Sequence, residues 1–224
     1  MTRSFSYVVR TVGRWAAISA ALSALLILAA GSTRLISLRA YLAAFSLVLL
    51  VTMLAVHPEL SREREHPGPE DSPTRLRLAA GFFFLLTVTS ASCLTGRWHV
   101  LTAPSSLRWF ALGAFVLGSS MQLWAMIANP FFSPAIRLQC ERGHVVIDSG
   151  PYRLIRHPGY LAMIISVPSS AIAIGSWLAM IPALGFVAII LHRAEMEEQF
   201  LRAELPNYTE YAQRVPAGLP LRSS

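Results

Sequence analysis

Residues 149–174 read SGPYRLIRHPGYLAMIISVPSSAIAI, and this stretch decides the fold of the chain. Two arginines and a histidine lie between Pro151 and Pro158, and the residues after Leu161 are uncharged and suited to the inside of a bilayer. Ionisable side chains at a membrane boundary are costly, so they usually have a partner or a function there. The stretch therefore predicts a membrane helix that begins at a polar site.

The composition of the whole chain is typical of an integral membrane protein. Of its 224 residues, 54% are hydrophobic and only 14% are charged, and the mean hydropathy is +0.51. The net charge of +7 comes from arginine alone, and no basic run with interleaved aromatic residues indicates nucleic-acid binding. Cys93 and Cys140 belong to no CxxC or Cys/His pattern, so neither a disulfide framework nor a metal site is predicted.

The first part of the chain, residues 1–128, is predicted to consist of transmembrane helices. A helix needs roughly 20 apolar residues to cross about 30 Å of hydrocarbon. Four apolar runs come close to that length, at about 15–31, 40–56, 78–95 and 108–128. Residues 57–77 between the second and third runs are rich in charge, proline and turn formers, and they predict a loop outside the membrane.

The second part, residues 129–224, is predicted to hold the polar site. Residues 129–160 contain four arginines, two histidines and several prolines, and no spanning helix fits there. Two apolar pieces, 161–175 and 177–191, then predict a helical hairpin over residues 161–191. From His192 onward the chain is polar and helical in pattern, and Pro206 should end that helix.

Four spans and a hairpin place the N-terminus, residues 57–77, residues 129–160 and the C-terminal tail on one side of the membrane. Most of the 19 arginines lie on that side. The two opposite loops carry Arg34, Arg39, Arg97 and Arg108. The positive-inside rule therefore assigns the arginine-rich side to the cytoplasm. Because the hairpin brings residues 129–160 close to the tail, we expect a water-accessible pocket next to lipid.

Each polar residue also has a simpler interpretation. Single arginines such as Arg153 are often only membrane anchors. Glu195 and its neighbours could be the solvated face of a helix. Arg193 and Glu197, four residues apart, could be no more than a surface ion pair. The functional interpretation depends on the occurrence of all these groups around one hairpin.

The order of short motifs in the second part resembles that of the isoprenylcysteine carboxyl methyltransferase family. The chain reads GHVVIDSGPYRLIRHPGY, then RAEMEEQFL, then YTEYAQRVPAGLPL, and the resemblance covers roughly residues 129–222. It implies an all-α membrane protein with about four transmembrane helices plus a C-terminal helical hairpin. It also implies a cytoplasmic cofactor pocket, formed by residues 129–160 and the C-terminal helix, in which S-adenosyl-L-methionine is the methyl donor.

The resemblance further implies which residues form the site. The residues expected to bind S-adenosylmethionine are Gln139, His144, Val145, Val146, Ile147, Tyr152, His157, Pro158, Gly159, Tyr160 and Glu197. Arg193 is expected to bind the methyl acceptor, and Arg156 to lie beside the reaction centre, so these two are the predicted catalytic residues. No metal ligand is implied.

The expected reaction is O-methylation of a carboxylate on a lipophilic, isoprenylcysteine-like substrate. A carboxylate with a pKa of about 4 is ionised at pH 7 and needs no general base, whereas an amine has to lose a proton first. The site is rich in arginine, and none of its glutamates is marked as a base, which favours the carboxylate.

Other functions stay open at this point. Related membrane proteins with a similar hairpin core include phospholipid or lipid-amine N-methyltransferases and NADPH-dependent sterol-type reductases, and a non-catalytic membrane protein is a third alternative. The expected partners are a lipophilic or lipidated substrate and membrane lipids, without nucleic acid or metal. The expected location is a prokaryotic inner or plasma membrane, with the catalytic face in the cytoplasm.

Overall fold

The computed structural model describes residues 5–65, 74–216 and 218–219. Within these ranges the chain is helical, and the one pairing between extended residues is an isolated bridge between Thr102 and Ser176. The helices are α1 (Phe5–Ala30), α2 (Ile36–Ala55), α3 (Pro58–Glu65), α4 (Thr74–Cys93), α5 (Ser105–Ala128), α6 (Pro158–Ile174), α7 (Met180–Glu204) and α8 (Tyr208–Arg214). A π-helical turn at Leu94–Trp98 and 3₁₀ turns at Cys140–Arg142 and Gly150–Arg153 complete the helical elements.

Four helices are long and apolar enough to cross a membrane, as the sequence predicts. They are Ser6–Ala30, Ile36–Ala55, Arg75–Trp98 and Ser105–Ala128, with mean hydropathies of 1.8, 2.0, 1.8 and 1.6. Large apolar side chains on them are exposed, among them Leu28 and Phe110 at 71% and 75%. Contiguous exposed apolar surface of this kind is unusual in a soluble protein but suits contact with lipid. The prediction of an all-helical membrane fold is confirmed.

The helical hairpin is also confirmed, but its second arm is longer than expected. Helix α6 ends at Ile174 and is capped by Gly175, whose φ of 131° favours glycine, and α7 begins at Met180. The apolar piece 177–191 and the polar tail after His192 are one continuous helix rather than two elements. Helix α7 ends at Glu204, two residues before Pro206, as predicted. Because the helix is continuous, the polar residues of its second half are held rigidly by the membrane-embedded first half.

The predicted loop over residues 57–77 is wrong at both ends, because Pro58–Glu65 form helix α3 and residues 74–77 belong to the start of α4. Pro58 is tolerated in the first turn of a helix, and Glu59 in that turn interacts favourably with the helix dipole. Leu60 is buried with Val56 and Met126, and this contact fixes α3 against the end of α5. Residues 66–73 of the predicted loop lie outside the described residues.

The connections of the structure gather at two opposite ends. At one end, Glu63 of α3 contacts residues 129–147, and Arg156 contacts both α7 and the residues after α8. We call this the polar end. At the other end the backbone amide of Ala103 donates to the carbonyl of Gly175 at 2.8 Å. The contacts thus bring the predicted loop, the 129–160 segment and the tail together on one side.

Gly96 marks the tightest contact at the end opposite the site. A Cβ atom there would lie 2.8 Å from the Cα of Ala30 and closer still to its carbonyl oxygen. Because these are backbone atoms that cannot rotate away, we expect Gly96→Ala to destabilise the protein by about 2 kcal/mol. Gly113→Ala in α5, where no atom lies within 4 Å, is the matched control. Thermal unfolding in detergent measures both, and equal midpoints for the two variants would contradict the expectation.

Candidate active site

One large cavity lies at the polar end and extends between the membrane helices. Its volume is about 710 Å³. Helices α2, α4, α5, α6 and α7 form its walls inside the membrane region, and residues 129–147 close it on the polar side. The cavity therefore lies where the most polar part of the sequence meets the apolar helices.

Nearly all the residues predicted for the site line this cavity. They are Arg156, Arg193, His144, Val145, Val146, Ile147, Tyr152, His157, Pro158, Gly159, Tyr160 and Glu197. Gln139 does not line the cavity; its amide nitrogen donates to the carbonyl of Phe131 at 2.8 Å, and its side-chain oxygen accepts from Arg142. The roles of all these residues stay predictions, and Gln139 is engaged in holding the 129–147 segment together.

His144 is held as a neutral imidazole on the wall of the cavity. Its ring stacks on Phe131 with 4.4 Å between centroids, and Nδ1 accepts a hydrogen bond from the backbone of Gln139. Burial and then the positive charges of Arg142 and Arg137 lower the pKa of His144. At neutral pH the ring proton is therefore on Nε2, where it can serve as a hydrogen-bond donor.

Tyr152 presents a protonated phenol to the same cavity. Its oxygen accepts a hydrogen bond from the side chain of Asn129 at 3.3 Å, and its backbone carbonyl accepts one from Tyr211 at 2.8 Å. Burial raises the pKa of Tyr152, so the hydroxyl can donate at any physiological pH. Asn129, the first residue after α5, was not among the predicted site residues, because an isolated amide side chain next to a proline forms no recognisable motif.

The RHPGY turn is shaped by the packing of an aromatic ring on a glycine. Pro158 begins α6, where its missing N–H costs no hydrogen bond. A Cβ atom on Gly159 would lie 2.5 Å from the ring of Phe132. The absence of a side chain thus allows the 129–147 segment to lie directly on the start of α6.

Arg193 lies at the polar end, and one nitrogen of its buried guanidinium has no partner among the described residues. Its side chain is 5% exposed, and Nη2 donates to the carbonyl of Pro134 at 2.6 Å. The other terminal nitrogen, Nη1, is buried without a hydrogen-bond partner among the described residues. Tyr160 and Glu197 lie beside it. A buried donor without a partner is unfavourable in the protein alone, so this geometry suits an anionic ligand.

Glu198 is the centre of a buried charge cluster that sequence reasoning left unassigned. One carboxylate accepts hydrogen bonds from His157 at 2.8 Å, Tyr208 at 2.9 Å, Arg156 at 3.2 Å and Arg202 at 2.8 Å. Burial by itself would raise the pKa of Glu198, but the hydrogen bond and charge of His157, with Tyr208 and Arg156, lower it to about 2. Glu198 is therefore ionised and fully occupied at neutral pH.

Arg156 is tied into the same cluster while it lines the cavity. Besides its bond to Glu198, its Nη1 donates to the carbonyls of Val215 at 2.8 Å and Pro216 at 3.0 Å. Arg156 therefore connects the RHP turn, α7 and the residues that follow α8. Glu195 does not line the cavity, and Arg153 is exposed, which suits its interpretation as an anchor.

The pKa of Glu198 predicts an acid-dependent loss of stability. Because its folded-state value of about 2 lies below the ordinary value of about 4.3, the ionised carboxylate stabilises the folded state at higher pH. That contribution is complete above about pH 5 and is lost as the pH falls towards 2. We expect the thermal midpoint in detergent to drop between pH 5 and pH 3, and the drop to be smaller for Glu198→Gln. An identical pH profile of the two proteins would contradict this.

Helix α3 contributes residues to the site that the sequence did not suggest. Glu63 forms a largely buried ion pair with Arg137 at 2.8 Å and accepts a hydrogen bond from Ser133 at 2.8 Å. Arg64, the next residue, lines the cavity. Their only sequence signal is the alternation of charges in PELSRERE, which is equally typical of a solvent-exposed helix. Among the described residues, no three or more His, Cys, Asp or Glu side chains form a group that could hold a metal ion.

Comparison with known proteins finds a family that is similar to the part of the chain carrying most of this site. The sequence model of the isoprenylcysteine carboxyl methyltransferase family matches residues 111–203, from α5 almost to the end of α7. A protein of Oryza sativa subsp. indica named "Probable protein-S-isoprenylcysteine O-methyltransferase" is 31% identical over 171 residues, which cover 64% of this chain and 86% of the relative.

Of two further relatives, one is named as a methyltransferase and the other as a metal-resistance protein. "Protein-S-isoprenylcysteine O-methyltransferase B" of Arabidopsis thaliana is 30% identical over 117 residues, covering 50% of this chain and 58% of the relative. The cobalt-zinc-cadmium resistance protein CzcN of Cupriavidus metallidurans is 27% identical over 143 residues, covering 61% of this chain and 60% of the relative. The match to the rice protein spans most of both proteins. The chain therefore belongs to the isoprenylcysteine carboxyl methyltransferase family and is an integral membrane methyltransferase.

Proposed function

We propose that the protein transfers a methyl group from S-adenosylmethionine to the carboxylate of a lipophilic, isoprenylcysteine-like acid. The observation that carries this proposal is a single cavity with two unlike ends. Its polar end carries the buried guanidinium of Arg193, whose Nη1 has no partner among the described residues, and its other end is an apolar space between membrane helices. A water-soluble methyl donor and a lipid-soluble acid could meet only in such a space.

The polar end fits the chemical groups of S-adenosylmethionine. Glu197 is the acid on the cavity wall that could bind the ammonium group. His144 Nε2 and the Tyr152 hydroxyl supply hydrogen-bond donors, and residues 145–147 supply an apolar wall. When bound, this compound supplies a methyl group that is already activated by its sulfonium. The residues of the chain then have to orient the acceptor and exclude water.

The apolar end fits a long hydrocarbon chain. The side chains that line it come from five helices and are mostly aliphatic or aromatic. They include Phe45, Val48, Leu49, Phe84, Phe115, Val167 and Phe186. We call this part of the cavity, between α2, α4, α5, α6 and α7, the apolar arm. An isoprenyl or acyl chain placed there would leave its polar head near Arg193.

The surroundings of the glutamates favour a carboxylate acceptor over an amine. An amine acceptor must give up a proton to a base near the transfer position. Glu198 cannot serve, because its low pKa and its four donors make it a poor proton acceptor. A carboxylate needs only positioning, and a well-oriented pair of reactants can remove about 7–11 kcal/mol of the barrier. We assign Arg193 to this positioning and Arg156 to holding the RHP turn and the tail in place.

We also place the polar end in the cytoplasm. The arginine-rich connections gather there, in agreement with the positive-inside rule. The methyl donor is water-soluble and would enter from that side.

The proposal is tested with purified protein in detergent, methyl-labelled S-adenosylmethionine and N-acetyl-S-farnesylcysteine as the acid. We expect saturable donor binding and a labelled product that releases its label in mild base, because methyl esters hydrolyse readily. The methyl ester of the same acid is the control acceptor and should remain unlabelled. Label that survives base would indicate N-methylation instead. Binding of NADPH without binding of S-adenosylmethionine would favour a reductase and overturn the proposal.

A further inference from the structure

Arg64 is a cation in the cavity that no described residue neutralises. It lies on α3, far outside the residues that the family model matches. Its guanidinium carbon lies 5.5 Å from the centroid of the Phe132 ring. It forms no hydrogen bond or ion pair within residues 5–65, 74–216 and 218–219. Burial lowers the pKa of Arg64, although part of the residue remains accessible to solvent.

The position of Arg64 is fixed by two neighbours on α3, Glu63 and Leu60. Glu63 is held by Arg137 and Ser133, with side chains of the ion pair about 10% exposed. Leu60, one turn earlier, is 1% exposed. The helix can therefore rotate little about its axis. Arg62 on the same helix is exposed and does not line the cavity, so the direction of Arg64 is specific.

The charges around the cavity do not balance within the described residues. The ion pairs of Arg137 with Glu63 and of Arg156 with Glu198 neutralise two of its guanidinium groups. Arg77 also lines the wall and has an interaction of its own. Among the described residues that line the cavity, Glu197 is then the one acid whose negative charge could balance Arg193 and Arg64. A cation held largely out of water is costly unless an anion balances its charge, so a ligand that completes this cavity should bring negative charge.

The location of Arg64 associates it with the acceptor rather than with the methyl donor. Five residues of α2 line the apolar arm at helical spacing: Phe45, Val48, Leu49, Thr52 and Met53. Helix α3 begins three residues after the last residue of α2, and Arg64 lines the same cavity as these five residues. The donor-side residues 144–147 belong to a different segment. An amphiphile along α2 would have its head group at the end of α2 that leads into α3.

We propose that Arg64 binds an anionic group of the lipophilic acceptor and so selects acids over neutral amphiphiles of the same shape. This inference rests on the proposed function, because it takes the apolar arm to be the acceptor site. Arg64 and Arg193 then have different tasks. Arg64 contributes to binding of the acceptor, whereas Arg193 also acts during transfer. Loss of Arg64 should therefore raise KM for the acid and leave kcat nearly unchanged.

The test compares an acid with its own ester. Binding of N-acetyl-S-farnesylcysteine and of its methyl ester is measured for the wild-type protein, Arg64→Gln, Arg64→Lys and Arg62→Gln. The wild type should prefer the acid by about tenfold or more, since a hydrogen bond to a charged group has an effect of that size. Arg64→Gln should lose most of this preference with little change for the ester, and the remainder should come from Arg193. Arg64→Lys should retain part of it, and Arg62→Gln, the exposed control on the same helix, should behave as the wild type.

The outcomes separate this inference from the proposed function. Binding of S-adenosylmethionine is measured in the same samples, together with the thermal midpoint. If the donor binds but Arg64→Gln keeps the preference for the acid, or the wild type shows none, the inference about Arg64 is overturned alone. If Arg64→Gln weakens binding of the acid and of the ester equally, Arg64 only shapes the apolar arm and does not recognise the charge of the acceptor. That result also overturns the inference about Arg64. Failure of every folded variant to bind the donor would instead overturn the proposed function.

Discussion

Replacement of Arg193 by glutamine should lower the rate of methyl transfer to a carboxylate acceptor by about 10²–10³-fold. The removal of one positioned donor from a dry active site has effects of this size. The Nη1 atom of Arg193 is buried without a partner, so its donor capacity is available to an acceptor bound in the cavity. Initial rates at saturating donor and acid measure the effect as a change in kcat.

Two controls separate chemistry from folding in this experiment. Arg193 also donates to the carbonyl of Pro134, so the variant will lose some stability, which the thermal midpoint reports. Arg153→Gln removes an exposed arginine near the same turn and should leave the rate within about twofold. A folded Arg193→Gln protein with an unchanged kcat would contradict the role assigned to Arg193.

Replacement of Glu198 by alanine should be the most destabilising of these changes, by about 3 kcal/mol. The variant leaves His157 and Arg156 buried beside an empty space, and an unpaired buried charge is far more costly than an intact pair is favourable. The bond from Tyr208 to Glu198 would also be lost, which weakens the attachment of α8 to α7. Chemical or thermal unfolding in detergent, monitored by tryptophan fluorescence, measures the change.

The matched control is Glu195→Ala, three residues earlier on the same helix. Glu195 is only partly buried and does not line the cavity, so its loss should change stability by less than about 0.5 kcal/mol. Similar losses for the two variants would show that the cluster around Glu198 contributes little. Donor binding by Glu198→Ala should fall at least in proportion to the unfolded fraction, because the cluster positions His157 and the RHP turn on the wall of the cavity.

The helices and their order could be predicted from the sequence because hydrophobic length is a local property. A run of about 20 apolar residues such as α2 specifies its own spanning helix without reference to the rest of the chain. Pro206 likewise marks the end of α7 from its own covalent geometry, whereas α6 begins at Pro158, three residues before the predicted apolar piece 161–175. The motifs around His157 and Arg193 could also be assigned to one site from the sequence. They flank a helical hairpin, and the two ends of a hairpin lie side by side.

Partnerships across the site could not be predicted, because they depend on which face of a helix meets which neighbour. Glu197 and Glu198 are adjacent in the sequence, but successive residues of a helix point about 100° apart. Only the packing of α7 against α6 and α8 turns Glu197 towards the cavity and Glu198 into the cluster. In the same way Arg62 and Arg64 are equivalent in the sequence. The burial of Leu60 and Glu63 decides that one of the two arginines faces water and the other the cavity.

By itself, then, the sequence determined a helical membrane protein with a polar site at the mouth of a hairpin, and its motifs indicated the family. Hydrophobic length and motif order are one-dimensional properties, and they need no knowledge of contacts. The tertiary structure decided how the charges are distributed: Arg156 and Glu198 stabilise the turn, Arg193 keeps a free donor, and Arg64 joins the cavity from a segment that reads as a loop. These outcomes depend on distances between side chains of different helices, and only the packing of the helices determines those distances.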